Sequence, residues 1–427
     1  MISPSSPFER WQALAAGLYM SIVGYSVLAG IPVISTAWSS LLSFSEPQVG
    51  RVAGADLGGL SFGAVLAALF VAKMNRRVLV FLSVLGAVAT NIACTLYQSY
   101  EATLLLRFLA GTASGVFTGI AVATLGARVN SARAFNYLLF AFAFVQAAEL
   151  YWLPRMSMNT IYLVFAISYL PALFILSWVP ATGIRSGNAV APPTEAELGA
   201  GDSLSSARKE AVAGQEFSEG AGVVAVPIID TSVVPKSVPW LCLSAMALTY
   251  VNIGAYWTYI ELASADAALD ADWVSNVLVW VSFFALIGCL VATLISDRFG
   301  LAKPLLLTLL IHALIVAILV PGMDQTRFFA SVYAFNFLWI FIDVYQMASV
   351  ARLDPSGRFA SLMPAAQGLG QIVGPNIAAS LLGASLGYGS VFMLCAIASL
   401  LAFAVYAVAY GVLAREPEAK GVLGAPA

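Results

Sequence analysis

Four carboxylates and one guanidinium stand inside long apolar stretches: Asp56 in VAGADLGGL, Arg107 in LLLRFLAG, Glu149 in VQAAELYW, Glu261 in TYIELAS and Asp343 in IFIDVYQM. A carboxyl withdrawn from water resists ionisation, so it can take up and release a proton as its surroundings change. The neighbours of these acids at helical spacing are amides and aromatic rings. Gln146 lies three residues before Glu149, and Asn336, Trp339, Asp343 and Gln346 recur at i, i+3, i+7 and i+10. Tyr250, Gly254, Trp257 and Glu261 form a second stripe, flanked by Asn252, Tyr256 and Tyr259, while Gln367 and Gln371 share a third face. Such a mixture suits a small organic molecule with a flat or aromatic part. An aromatic stripe also serves as plain packing, and both readings stand at this point.

Other chemistries lack their residues. Cys94, Cys242, Cys289 and Cys395 are scattered through apolar runs with no CxxC pair, as expected of single buried thiols and not of a disulfide framework or zinc site. GASLG (residues 383–387) has the spacing of a nucleophile elbow but falls in a turn between two apolar runs, not between strand and helix. GLGQIVGP has the wrong spacing for a dinucleotide loop; its Gly370, Gly374 and Pro375 suit close helix packing and a bend. The sole histidine, His312, reads as structural. No nucleophile–base set, metal cluster, cofactor motif or phosphate loop emerges, which argues against an enzyme and leaves an ion gradient as the energy source. A net charge of −2 gives no argument for nucleic acid.

The elements that position these groups follow from composition. The 427 residues are 60% hydrophobic and only 10% charged, where soluble domains carry roughly a quarter charged residues. A bilayer core needs about 20 apolar residues in a helix. Twelve runs of that kind occur: 13–38, 49–71, 78–97, 103–127, 135–153, 161–179, 240–262, 274–295, 304–320, 328–350, 361–386 and 391–413. The first is too long for a signal-peptide core and reads as a retained span. Placing both termini in the cytoplasm puts sixteen of the twenty Lys and Arg residues there, leaving Arg51, Arg107, Arg155 and Arg327, while Asp266, Asp270 and Asp272 fall outside. That orientation obeys the positive-inside rule and predicts a multi-pass protein of the inner or plasma membrane. Asp56 and Arg107 then lie in the outer part of the first half and are expected to interact. Residues 181–238, rich in Gly, Ser, Ala, Pro and Glu, read as a mostly disordered cytoplasmic linker with a short helix near 205–217. The chain thus divides into a six-span bundle (1–180), the linker, a second six-span bundle (239–414) and a cytoplasmic tail (415–427).

The halves resemble each other. Shifting SEPQVGRVAGADLGG…VAKMNRRVL by 225 residues onto LDADWVSNVLVWVSF…ISDRFGLAK aligns the helix-start signals Ser45 and Asp270 and the bases Lys73 and Arg298. RVNSARAFN matches RLDPSGRFA at nearly the same shift. Twelve spans as six plus six, basic turns after spans two and eight, and RFLAGTASG in span four resemble the major facilitator superfamily. SDRFG is similar to that family's GxLaDRxGRk loop motif, and its first-half copy is degenerate, with Ala72 and Asn75 in place of the Asp and Gly. Arg107, Gly111 and Gly115 fit its RxxxGxxxG pattern.

The resemblance implies an all-α membrane protein of two six-helix bundles related by a pseudo-two-fold axis, monomeric in the lipid bilayer, with a midplane cavity lined by spans one, four, seven and ten and parts of two, five, eight and eleven. It implies that Glu149 and Asp343 look inward. The expected solute site comprises Gln146, Glu149, Asn252, Tyr256, Trp257, Glu261, Asn336, Trp339, Asp343, Gln367 and Gln371. The expected proton carriers are Glu149 and Asp343, followed by Glu261 and Asp56. Asp297, Arg298 and Gly300 are expected to form a cytoplasmic latch: a carboxylate favoured at a helix N-terminus, a base that pairs nearby, and a glycine for the turn. FVQAAELYWLP in span five lacks the GxxxGPxxGG-like motif of antiporter relatives, which favours uptake by proton symport, with an aromatic or carboxylate metabolite among the possible solutes. A proton-driven efflux antiporter and a transporter-like receptor that binds solute without moving it are the alternatives.

Overall fold

The computed structural model describes residues 6–71, 74–128, 131–181, 235, 237–295, 298–353, 359 and 362–415. Among these residues helix is the only regular structure, and each of the twelve apolar runs is helical. In the first half α1 (Trp11–Gly24) and α2 (Ser26–Leu42) make one span, followed by α3 (Glu46–Phe70), α4 (Arg76–Leu96), α5 (Tyr100–Gly126), α6 (Ser131–Trp152), α7 (Met158–Tyr169) and α8 (Pro171–Phe174). The second half holds α9 (Ser237–Asp266), α10 (Ala271–Val281), α11 (Phe284–Ile295), α12 (Ala302–Ala317), α13 (Gln325–Leu353), α14 (Met363–Gly383) and α15 (Gly387–Arg415). Nine segments among the described residues are long and apolar enough to cross a bilayer; 158–174 and α12 are shorter apolar helices.

Local sequence sets the helix ends. Ser45 and Gln48 form a reciprocal capping box at α3, and Asp270 caps α10 by accepting from Trp273 N at 2.8 Å. The two start signals that align between the halves therefore act alike. GASLG closes α14 and turns into α15 through Ser385 (φ 60°) and Gly387 (φ 69°). Gly300 also holds a left-handed conformation, φ 68°, as a tight turn there requires. Three expectations lie outside the described residues: the linker with its 205–217 helix, the tail beyond residue 415, and the side chain of Asp297.

Two spans are interrupted near mid-membrane. The first breaks at Tyr25, where the Ser114 hydroxyl of α5 donates to the Gly24 carbonyl at 2.6 Å. The eighth breaks at Ser282 and Phe283, whose N–H groups turn to three-residue bonds with Val279 and Trp280 carbonyls. Pro32 and Pro375 add further bends, because a proline has no N–H for the carbonyl four residues back, here Leu28 and Gln371.

Within the first half α3 and α5 cross at backbone contact. A Cβ on Gly111 would stand 2.1 Å from the Asp56 carbonyl oxygen, and one on Gly115 2.0 Å from that of Leu60. In the second half Gly370 and Gly374 of α14 press the same way on Ala247 and Val251 of α9. Small residues at such crossings replace hydrophobic collapse as the source of cohesion in a bilayer.

The halves meet through α3 with α14, α2 with α9, and α6 with α10. Exchange of the halves maps the first pair onto the third and the second onto itself, as a pseudo-two-fold demands. Tyr259 donates to the Glu46 carbonyl at 2.9 Å, Tyr388 to Glu46 Oε1 at 2.7 Å, and Ser275 to the Leu150 carbonyl at 3.4 Å. All three bonds lie at the end remote from the chain termini. The α3 stripe facing α14 is buried at Gly50, Gly54 and Gly58, but its continuation through Val65 and Leu69 is exposed. The bundles are thus sealed at one end and parted toward the other.

Candidate functional site: an apolar cavity between the halves

Beneath the seal lies a cavity of about 80 Å³ enclosed by both halves. Leu28 of α2 and Leu139, Phe142, Ala143 and Gln146 of α6 form one wall. Ser282, Ala285, Leu286 and Cys289 flank the break in span eight, and Asn336, Trp339 and Ile340 of α13 close the other side. Both interrupted spans therefore border the cavity, and each stays backbone-bonded across its break, as a membrane interior requires. A larger depression of about 640 Å³ around Leu269 and Arg327 is open to the surface and lies away from every buried acid.

The acids divide into one that is paired and three that keep a free oxygen. Asp56 Oδ2 receives Arg107 Nε at 2.8 Å and its second nitrogen at 2.6 Å, while Arg107 also donates to Asn91 Oδ1 at 2.9 Å. Both partners are buried, and the guanidinium lies 5.8 Å from the Tyr162 ring centroid. This is the expected interaction between spans two and four, and it is closed on itself.

Glu149 sits one turn from the cavity residue Gln146, toward the seal. Its Oε2 is buried with no hydrogen-bond partner among the described residues and rests against Gly30, where a Cβ would stand 3.1 Å away. Asp343 sits one turn from Trp339 toward the parted end. Tyr250 donates to its Oδ2 at 2.6 Å, whereas Oδ1 is buried without a partner. The indole of Trp339 lies beside this carboxyl, and Trp257 meets it edge to face with centroids 6.3 Å apart. Trp339 turns its indole N–H toward the Asp343 carboxyl, and that of Trp257 is buried with no hydrogen-bond partner among the described residues. Glu261 lies higher in the seal, against Thr36 of α2, with Oε2 also buried and unpartnered.

Not all of the residues expected at the site face it. Asn252 turns into the second half, donating to Ser399 at 2.7 Å beside His312. Tyr256 stacks on Phe335 at 3.8 Å and bonds Ser331, also within that half. His312 is fully buried there, beside Phe335. Gln371 is buried where α14 meets Gly254 of α9, and Gln367 is half-buried one turn away. Gln346 is held by Thr249. The reading from residue types missed Ser282, Leu28 and Cys289. The only available signal was their place in span one or eight, since none carries a conspicuous side chain.

The family whose model matches residues 13–375 is described as Major Facilitator Superfamily. No curated protein sequence matches the chain. Among solved structures, the chain is similar to the human organic anion transporter MFSD10 (TETRAN), with a TM-score of 0.60 and 14% identity over 92% of this chain and 98% of that one. It is also similar to the nucleoside transporter NupG, with a TM-score of 0.66 and 11% identity over 93% of this chain and 99% of that one. A mutant form of NupG gives a TM-score of 0.67 at 12% identity, over 93% and 100%. At such identities these likenesses speak for the fold.

Proposed function

The chain belongs to the Major Facilitator Superfamily, which makes it an integral membrane secondary transporter and not an enzyme, and we propose that it carries a small organic solute inward together with a proton. With both termini in the cytoplasm, the sealed end faces outward and the parted end inward. The cavity then belongs to an inward-facing state. Transport requires the α3–α14 and α6–α10 contacts to open while the cytoplasmic ends close, a rocking of one bundle against the other. The turn carrying Arg298 and Gly300, with Asp297, would latch that second closure.

The observation that carries the reading is the pair of carboxyls flanking the cavity that each keep one buried oxygen without a partner, Glu149 on the sealed side and Asp343 on the open side. A buried acid with no counter-ion is costly in a membrane and marks an ion path or a binding group. Glu149 lies where α2 and α6 must separate when the seal opens, so access to it changes as the bundles rock. It is the first-choice proton carrier. Asp56, held by Arg107, has its charge already compensated and serves the bundle's cohesion.

The test is uptake from a metabolite mixture into proteoliposomes, read by mass spectrometry, with an acid-outside gradient imposed. Wild type should concentrate its solute above equilibrium. Glu149→Gln should equilibrate it without concentrating it. Unchanged gradient dependence in the single amide variants of Glu149, Asp343, Glu261 and Asp56 would remove proton coupling from these residues.

A further inference from the structure

We propose that the solute is an organic cation, a protonated amine on an aromatic or apolar body, whose ammonium group binds the free oxygen of Asp343. The inference deepens the transport reading and rests on it only for the location of the site.

The charge inventory comes first. The acids at the cavity and its seal are Glu149, Glu261 and Asp343. Three basic side chains are buried among the described residues, Arg76, Arg107 and His312, the last packed inside the second half against Asn252 and Phe335. Arg76 lies near the chain termini, over the ring of Phe8 at 5.0 Å, and Arg107 is spent on Asp56 and Asn91. Among the described residues no lysine or arginine at the depth of the cavity is therefore free to neutralise an anionic solute, and a carboxylate there would meet charge of its own sign.

Asp343 is the acid arranged to receive a ligand. It is 7% exposed, and Trp339, on the same face one turn away, lines the cavity. Tyr250 fixes one carboxylate oxygen and leaves the other free. An acid so deeply buried needs a partner of opposite charge or a proton, and among the described residues no lysine or arginine stands there. The adjoining indoles of Trp257 and Trp339 offer ring faces that attract a cation, and the Trp257 N–H suits a hydroxyl or carbonyl on the solute body. Leu28, Phe142 and Leu286 complete an apolar surround. The shared chemistry is an amine at one end and a flat apolar group at the other.

The experiment uses three probes that share one body and differ in head group: 3-phenylpropylamine, 3-phenylpropanol and 3-phenylpropanoate. Binding to the full-length purified protein is measured by titration calorimetry in detergent without any gradient, so loss of transport does not affect the result. The amine should bind at least about tenfold more tightly than the alcohol, a step of about 1.4 kcal/mol, and the carboxylate should not bind measurably. Asp343→Asn should bring amine and alcohol within about twofold while leaving the alcohol unchanged, and Asp272→Asn, at the exposed start of α10, should preserve the gap. If Asp343→Asn fails to fold, Tyr250→Phe decides: releasing the second oxygen should tighten the amine severalfold and leave the carboxylate excluded. Carboxylate binding equal to that of the amine would overturn the proposal. So would an amine preference that survives Asp343→Asn, an unmoved amine affinity in Tyr250→Phe, or no amine binding at millimolar concentration. Gradient-driven uptake of an anion would overturn this inference and leave the transporter reading standing.

Discussion

The seal between the bundles turns on Glu46, and its loosening has a calculable effect. Tyr259 and Tyr388, both from the second half, donate to the backbone carbonyl and the carboxylate of this one residue of the first half, at 2.9 and 2.7 Å. A neutral hydrogen bond contributes about 0.5–1.5 kcal/mol and one to a charged group about 1.5–3. Glu46 is only half-buried, so water competes for its carboxylate and the lower end of each range applies. The Glu46 carbonyl also keeps its helical bond in α3, which again limits the loss. Converting both tyrosines to phenylalanine should weaken the sealed state by about 2 kcal/mol, or roughly thirtyfold in the sealed-to-open ratio. The rings would remain packed, so the change isolates the two hydroxyls. Spin labels at Ser40 of α2 and Ala265 of α9, in a background with Cys289 replaced by serine, would report the distance across the seal in liposomes. Wild type should give a short distance, and the double variant should gain a longer population. An unchanged distribution would refute the assignment of these bonds as the closure, and a shift toward more sealed protein would invert it.

Arg107→Ala leaves Asp56 buried without its counter-ion and should cost about 3–5 kcal/mol, read as a fall in the thermal unfolding midpoint; adding Asp56→Asn should recover most of it, because a neutral amide needs no partner cation. A cysteine at the exposed Ser43 should react with an impermeant maleimide on intact cells, and one at Arg415 only after permeabilisation, both in the Cys289→Ser background; the reverse pattern would turn the inward-facing assignment around.

The architecture could be read from the sequence because the bilayer imposes a length on each span and a charge bias on each loop. Ser45 and Asp270 were legible as helix starts, since capping chemistry is local. The Asp56–Arg107 pair was legible because two opposite charges at one depth of one bundle have little else to neutralise them. Facing was not legible where both sides of a helix are apolar. Asn252 and Tyr256 sit in α9, which is buried on nearly every side by its own half and by the other, so no polar stripe marks the cavity face. The residue types at those positions fit the interior of the second half as well as a solute site. The breaks at Tyr25 and Ser282 were equally silent. The first depends on a hydroxyl from another helix that bonds the carbonyl of Gly24, and the second on three-residue backbone bonds with no glycine or proline at the break itself.

Pairing, more than charge itself, separates the roles of the buried acids. Asp56 and Arg107 lie where α3 and α5 are pinned at backbone contact by Gly111 and Gly115. An ion pair there is enclosed by the crossing and ties α3 to α5. Glu149 and Asp343 lie instead on surfaces bordered by the other half or by an interrupted helix, each with an oxygen left over. Such a group is a net cost in the resting fold, and in the proposed cycle a proton or a ligand compensates it. A rocking transporter needs both kinds of site: compensated charge inside the bundles, so that they move as units, and uncompensated charge between them, so that the motion responds to what is bound. The division of four acids into one paired and three open follows that requirement.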